Sequence, residues 1–143
     1  MSSFLGSFDF ALDSKGRVAL PSAFMRGGAA DSFVLLQWRV PALTLLPEPA
    51  WKEVSERLRE YRRKSKKAWA HARRITAASI EVAPDSQRRI LIPAKHQEMA
   101  SLDGRVLIIG AMDRIELWNP DLFEAEDEAP DDAFDEFAQE IFG

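Results

Sequence analysis

Two short stretches of this chain carry residue types that could do chemistry, at matching spacing. Asp13-Ser14-Lys15-Gly16-Arg17 and Asp85-Ser86-Gln87-Arg88-Arg89 each place a carboxylate four residues ahead of an arginine. Each then runs into an apolar-x-apolar-Pro segment, ending at Pro21 and Pro93. Asp and Ser suit a turn through local side-chain hydrogen bonds, and Gly16 accepts a positive φ. A tight turn tipped with Lys15 and Arg17 projects two long cations from a rigid base. DNA phosphates attract such groups, and an arginine fork can also read guanine in the major groove. Strands can enter a groove as helices do. The plainer alternative is that Lys15 is a solvated turn residue and that Asp13 pairs with Arg17. An acid repels phosphate, so Asp13 is read as shaping the turn or orienting Arg17. For Lys15 and Arg17 DNA contact is preferred, because the second turn also keeps its arginine. The copies are unequal, since Lys15-Gly16 becomes Gln87-Arg88.

Catalysis finds no support. Cysteine is absent, and the two histidines, His71 and His96, lie in different contexts. There is no Ser-His-Asp order, no glycine-rich phosphate loop and no histidine at metal-ligand spacing. His96 replaces Phe24 of the first turn's surroundings and reads as a helix-surface or partly packed residue. No enzyme activity, metal, cofactor or small-molecule ligand is expected.

The charge distribution points to an anionic partner. The net charge is −4. Residues 1–120 nevertheless hold all 19 Lys and Arg against 13 of the 23 Asp and Glu, and residues 121–143 hold the remaining ten acids and no base. The body is thus basic and the tail acidic. No apolar run approaches the roughly 20 residues needed to span a bilayer. The first ten residues lack the basic start and apolar run of a secretory signal. A cytoplasmic protein without a membrane partner is expected.

The elements that must hold the two turns follow from an internal repeat. At an offset of 72, residues 8–53 align with 80–125 without a gap and give nine identical pairs, among them Asp13/Asp85, Arg17/Arg89, Val34/Val106 and Leu35/Leu107. Phe8, Phe10 and Leu12 alternate with polar or small residues, the period-two pattern of a half-buried strand. Val18 and Leu20 begin a returning strand, Pro21 opens a short helix that Gly27-Gly28 stops, and 33–38 and 42–46 form a second strand pair. The unit reads hairpin, short helix, hairpin, twice over. Between the copies, residues 48–75 read as helical, with Trp51, Val54, Leu58 and Tyr61 on one face. The Arg57–Arg74 stretch brings nine basic residues against one acid. Its block from Arg62 to Lys67 suits either a phosphate patch or a dock for the acidic tail of the same or a neighbouring subunit. In the tail, Asp131 and Asp132 can cap a last helix, with Phe134, Phe137 and Ile141 on one side.

These residues resemble a family. "FLGSFDFALDSKGRVALPSAFMR" (4–26) is similar to the opening signature of MraZ, bacterial regulators named for the division and cell-wall gene cluster; Phe4, Gly6, the Asp13–Arg17 turn, Pro21, Phe24 and Arg26 carry the match. "DSQRRILIP" followed by "LIIGAMDRIELW" looks like the family's second half. The resemblance covers about residues 4–123 and leaves the acidic tail outside. It implies an α+β fold, mainly β with short helices, in which two tandem SpoVT/AbrB-like swapped-hairpin modules form a pseudo-twofold barrel. The expected divisions are 1–50 for the first module, 51–76 for the basic helical linker, 77–123 for the second module and 124–143 for the acidic tail.

The resemblance further implies a transcriptional repressor acting as a ring-shaped homo-oligomer on tandem repeats of double-stranded promoter DNA, and hence nucleoid-associated. The DNA-contacting set is then Lys15, Arg17, Arg26 and Arg89, with Asp13, Gly16 and Asp85 shaping the turns. Arg88 stands where the family usually has a second glycine, a departure that bears on that turn's backbone and on Arg89. The alternatives are an AbrB-like antitoxin, or a ring-forming scaffold that binds a protein through its tail.

Overall fold

The computed structural model describes residues 3–25, 32–127 and 131–143. In chain order the elements are β1 (Phe4–Ala11), β2 (Arg17–Ala19), a 3-10 turn (Ser22–Met25), β3 (Phe33–Leu36), β4 (Leu43–Pro47), α1 (Glu48–Arg62) and α2 (Lys66–Ala77). They continue with β5 (Ile80–Val82), β6 (Arg89–Leu91), α3 (Ala94–Met99), β7 (Arg105–Met112), β8 (Ile115–Trp118), α4 (Pro120–Asp127) and α5 (Phe134–Phe142). Six strands form one antiparallel sheet in the order β1-β7-β8-β4-β3-β5, and β2 pairs with β6 in a second, two-stranded one.

The α+β class and the two interleaved modules are as expected, with two differences. The large sheet stays open rather than closing into a barrel, and helix, at 41% of the described residues, exceeds strand, at 29%. The predicted first hairpin also divides. Its turn forms, but β1 runs beside β7 of the other module and β2 beside β6, so neither strand keeps its chain neighbour as ladder partner. The same exchange places β5 against β3. The reason is burial. A three-residue strand gains little from a lone hairpin, whereas pairing β2 with β6 sets Val18 opposite Ile90, each all but solvent-free.

The pseudo-twofold axis runs through two such self-matching pairs. Val18 faces Ile90, and Thr44 faces Glu116 in the β4–β8 ladder. Both pairs lie at the offset of 72. The β3 and β7 strands do not. Phe33 opposes Val82 and Pro47, and Val106 opposes Phe10, so the ladders equate Phe33 with Val106 and Leu35 with Ile108, an offset of 73. The gap-free alignment therefore pairs the wrong residues there. Val106 is buried, whereas Val34 lies half-buried on the other face. A slip of one residue turns every side chain over, and the longer β3–β4 connection absorbs the difference.

The main core lies between the inner face of the large sheet and the β2/β6 ribbon. Leu35, Leu43, Leu45, Ile108, Ile115 and Leu117 meet Val18, Leu20, Ile90 and Ile92 there. On the outer face Leu36 and Leu46 receive α1 through Ala50, Trp51 and Val54. α4 takes the corresponding place after β8, its Phe123 ring edge-on to Trp118 at 5.2 Å. The helical stretch expected as one piece breaks at residues 63–65. Ser65 caps the new helix, its hydroxyl accepting from the Ala68 amide at 3.0 Å, and α2 folds back on α1 with the Tyr61 hydroxyl 2.9 Å from His71 Nδ1.

This register predicts a contrast between neighbours. Ile90→Ala, at the axis, should cost about 2–5 kcal/mol of stability. Leu91→Ala, half exposed on the opposite face, should stay within about 0.5 kcal/mol of wild type. Chemical denaturation of the two variants checks it; equal losses would mean the ribbon is turned over.

Candidate nucleic-acid interface

Each turn is built around one carboxylate. Asp13 Oδ1 accepts from the Lys15 and Arg17 amides, both at 2.9 Å, while Oδ2 accepts from Arg17 Nε at 2.8 Å. Asp85 repeats the pattern with the Gln87 amide at 2.8 Å, the Arg89 amide at 2.9 Å and Arg89 Nε at 2.9 Å. The backbone closes both turns alike: the Asp13 amide donates to Arg17 O and the Gly16 amide to Asp13 O, matched by Asp85 to Arg89 and Arg88 to Asp85. Asp therefore both shapes the turn and fixes the arginine by its Nε. Among the described residues the terminal amino groups of Arg17 and Arg89 have no hydrogen-bonded partner, and the two side chains are 31% and 30% exposed. The arginine donors suited to a phosphate or a guanine edge are thus held in place and left open.

The Gly16/Arg88 difference leaves this geometry unchanged. Gly16 has φ +82° and Arg88 φ +62°, so the arginine adopts the left-handed conformation that glycine takes freely. Its Nε lies 3.4 Å from Leu20 O, while the residue as a whole stays exposed. In the other module the matching carbonyl, Ile92 O, accepts from Gln97 Nε2 at 2.7 Å. A side chain at residue 16 would have to displace Gln97, because a Cβ there would meet its Nε2 at 2.6 Å and Ile92 O at 3.1 Å. The turns are further cross-tied: the Ile92 amide donates to Gly16 O at 2.9 Å and the Leu20 amide to Arg88 O at 2.7 Å. Sequence reasoning passed over Gln97. The signal available lay in two of the repeat's differences, Gly16/Arg88 and Met25/Gln97, each supplying a polar group where the other module lacks one.

The remaining candidates fall elsewhere. Lys15 sits at the first turn's tip, exposed and, among the described residues, outside every ion pair. Arg26 lies outside the described residues. Arg105 and Arg114 are engaged by Asp9 and Asp113. His96 is buried, at 4% exposure; its Nε2 donates to Ala78 O at 2.7 Å and its Nδ1 is left without a partner. It is a core residue on α3 rather than a surface one. Among the described residues no group of His, Asp and Glu could hold a metal ion, and no helix is long and apolar enough to cross a membrane.

Comparison with known proteins decides the family. The model of the family described as "MraZ protein, putative antitoxin-like" matches the chain twice, over residues 3–74 and 75–141. The chain belongs to the MraZ family. The resemblance carried by the two turns is borne out, and the match runs past residue 123, so the acidic tail falls within the second matched stretch rather than outside it. A "Transcriptional regulator MraZ" of Thermoanaerobacter pseudethanolicus is 33% identical over 137 residues, 96% of this chain and 95% of that protein. Those of Oenococcus oeni and Leuconostoc mesenteroides are 33% and 31% identical, each spanning about the same share of both chains. Family membership places the chain among transcriptional regulators and not among enzymes.

Hydrogen bonding from the backbone of Arg17, ahead of its side chain, holds the Asp13 carboxyl below the ordinary aspartate value against the effect of desolvation, and Arg89 does the same for Asp85. A carboxylate with a lowered folded-state pKa stabilises the fold above the unfolded value, about 3.9, and that contribution disappears as pH falls through the lowered folded value. NMR titration of the two carboxyls should find both midpoints below about 3.9. In Asp13→Asn/Asp85→Asn, stability should depend less on pH across the acid range than it does in wild type.

Proposed function

We propose that the chain is a sequence-specific DNA-binding transcriptional repressor of a division and cell-wall gene cluster. It acts as a ring-shaped homo-oligomer on tandem repeats of promoter DNA in the nucleoid. The observation that carries this reading is the pair of Asp-clamped turns, each offering an arginine with open terminal donors on a rigid, cross-tied base. Lys15 and Arg17 make the principal contacts and Arg89 takes part from the second turn. Asp13 and Asp85 hold the arginines against rotamer loss, so less ordering remains to be done on binding. Arg88, whose Nε is turned to Leu20 O, is not counted among the contacts. The Arg26 contact is retained as part of the same proposal.

One turn neutralises few phosphates and binds weakly at physiological salt. Copies of the chain joined in one assembly meet successive operator repeats, and each later contact is effectively intramolecular. Avidity then exceeds single-site affinity by about 10²–10⁴-fold. The antitoxin-like wording of the family description and the acidic tail keep a toxin-binding role as the second reading.

A titration of the gene's own upstream DNA against a scrambled control, at several salt concentrations, tests the proposal. Wild type should prefer the promoter, with affinity falling steeply as salt rises. Arg17→Ala should lose about 1–3 kcal/mol, roughly 5- to 150-fold per site, and relax specificity. Lys15→Ala should weaken both DNAs alike and lower the salt slope by about one. Equal binding of both DNAs by wild type would sink the repressor reading and turn attention to the toxin-binding one.

A further inference from the structure

α1 and α2 enclose a groove that the function above does not use. Its volume is about 290 Å³, with Trp51, Leu58 and Trp69 giving it apolar walls and Arg59, Arg62 and Arg73 lining it as well. The Arg62 guanidinium lies over the Trp69 ring, 4.2 Å from its centroid. Among the described residues no carboxylate pairs with these three arginines. Trp69 is 47% exposed although it belongs to an amphipathic helix. The groove therefore offers an apolar floor and unneutralised positive charge.

The chain also carries the complementary object. Phe134, Phe137 and Ile141 share one face of α5 and are 59%, 53% and 61% exposed, and no residue of the helix is buried. Its acids, Asp135, Glu136 and Glu140, lie toward the opposite face and flanks, and residues 121–143 contain no base to offset them. A nine-residue helix is marginal in water unless its apolar face packs against something. It is about 14 Å long, shorter than the 12-residue α2 that forms one wall of the groove.

We propose that α5 of one copy seats in the α1–α2 groove of a second copy, with Phe134, Phe137 and Ile141 against the tryptophans and the acids against Arg59, Arg62 and Arg73. The partner is a second copy because α5 buries nothing in its own chain. α4, which leads to it, lies over Trp118 near β7, whereas α1 stands over β3 and β4 and α2 packs on α1. Helix and groove are different surfaces, so the contact is head-to-tail and propagates from copy to copy until it closes. The inference rests on the assembly half of the proposed function and is independent of its DNA half.

The chain has no cysteine, which makes the contact easy to trap. Two full-length single-cysteine variants, Ser55→Cys in the groove and Ala138→Cys on α5, are mixed and oxidised. The expected product is a covalent dimer of the two different chains, at least tenfold less abundant when Arg62→Glu and Arg73→Glu are added to the groove variant. Light scattering should show Phe137→Asp falling from the wild-type mass to that of a single chain, with a circular dichroism spectrum that still reports a folded core, because α5 supports no part of that core. A Ser55→Cys/Ala138→Cys double variant that closes only within one chain would overturn the proposal in favour of self-docking. So would an assembled wild type whose mass Phe137→Asp leaves unchanged, which would spare the ring itself. A monomeric wild type would overturn both the docking and the assembly reading, while the promoter titration would still judge DNA binding separately.

Discussion

Everything in this protein hangs on the place where the two modules exchange partners. The Ile92 amide reaches back to Gly16 O and the Leu20 amide to Arg88 O, on either side of the Val18–Ile90 pair. Neither module can satisfy these groups alone, and an unpaired buried amide or carbonyl costs about 1–3 kcal/mol. Each Asp-clamped turn is thereby braced by the other module's backbone. That is why a five-residue turn with most of its length at the surface can hold an arginine steady.

The same constraint explains the tolerance at residue 88. A left-handed arginine in an isolated turn would cost about 1–2 kcal/mol relative to glycine. Here the conformation is imposed by hydrogen bonds on both sides, and the side chain offsets part of the strain by covering Leu20 O. The first turn has no such freedom, since Gln97 already occupies the equivalent space. Two modules of similar sequence thus reach one backbone geometry by different side-chain means.

Much of this was legible in the sequence and some of it could not be. The turn residues, the duplication, the strand positions and the basic helical segment all show in residue types and spacing, because turns and amphipathic faces are local. Strand partners are not local. Alternation in Phe8, Phe10 and Leu12 says which side chains share a face and nothing about whether β7 or β2 lies alongside. The offset of 73 in β3 and β7 was hidden by chance identities such as Val34/Val106, and only the ladder register separates the buried residue from the half-buried one. The break at residues 63–65 was masked by Arg and Lys, which favour helix, leaving Ser65 as the single capping signal. The burial of His96 depends on Ala78, eighteen residues away.

The outer face of the sheet departs from the symmetry of its interior. α1 and α4 occupy matching places after β4 and β8, yet only α1 is followed by a second helix packed upon it. A body with two equivalent ends has no direction, and copies stacked on it could face either way. The extra helix gives this molecule a front and a back, so any row of copies built on it would acquire a polarity and present the turns of every copy with the same handedness.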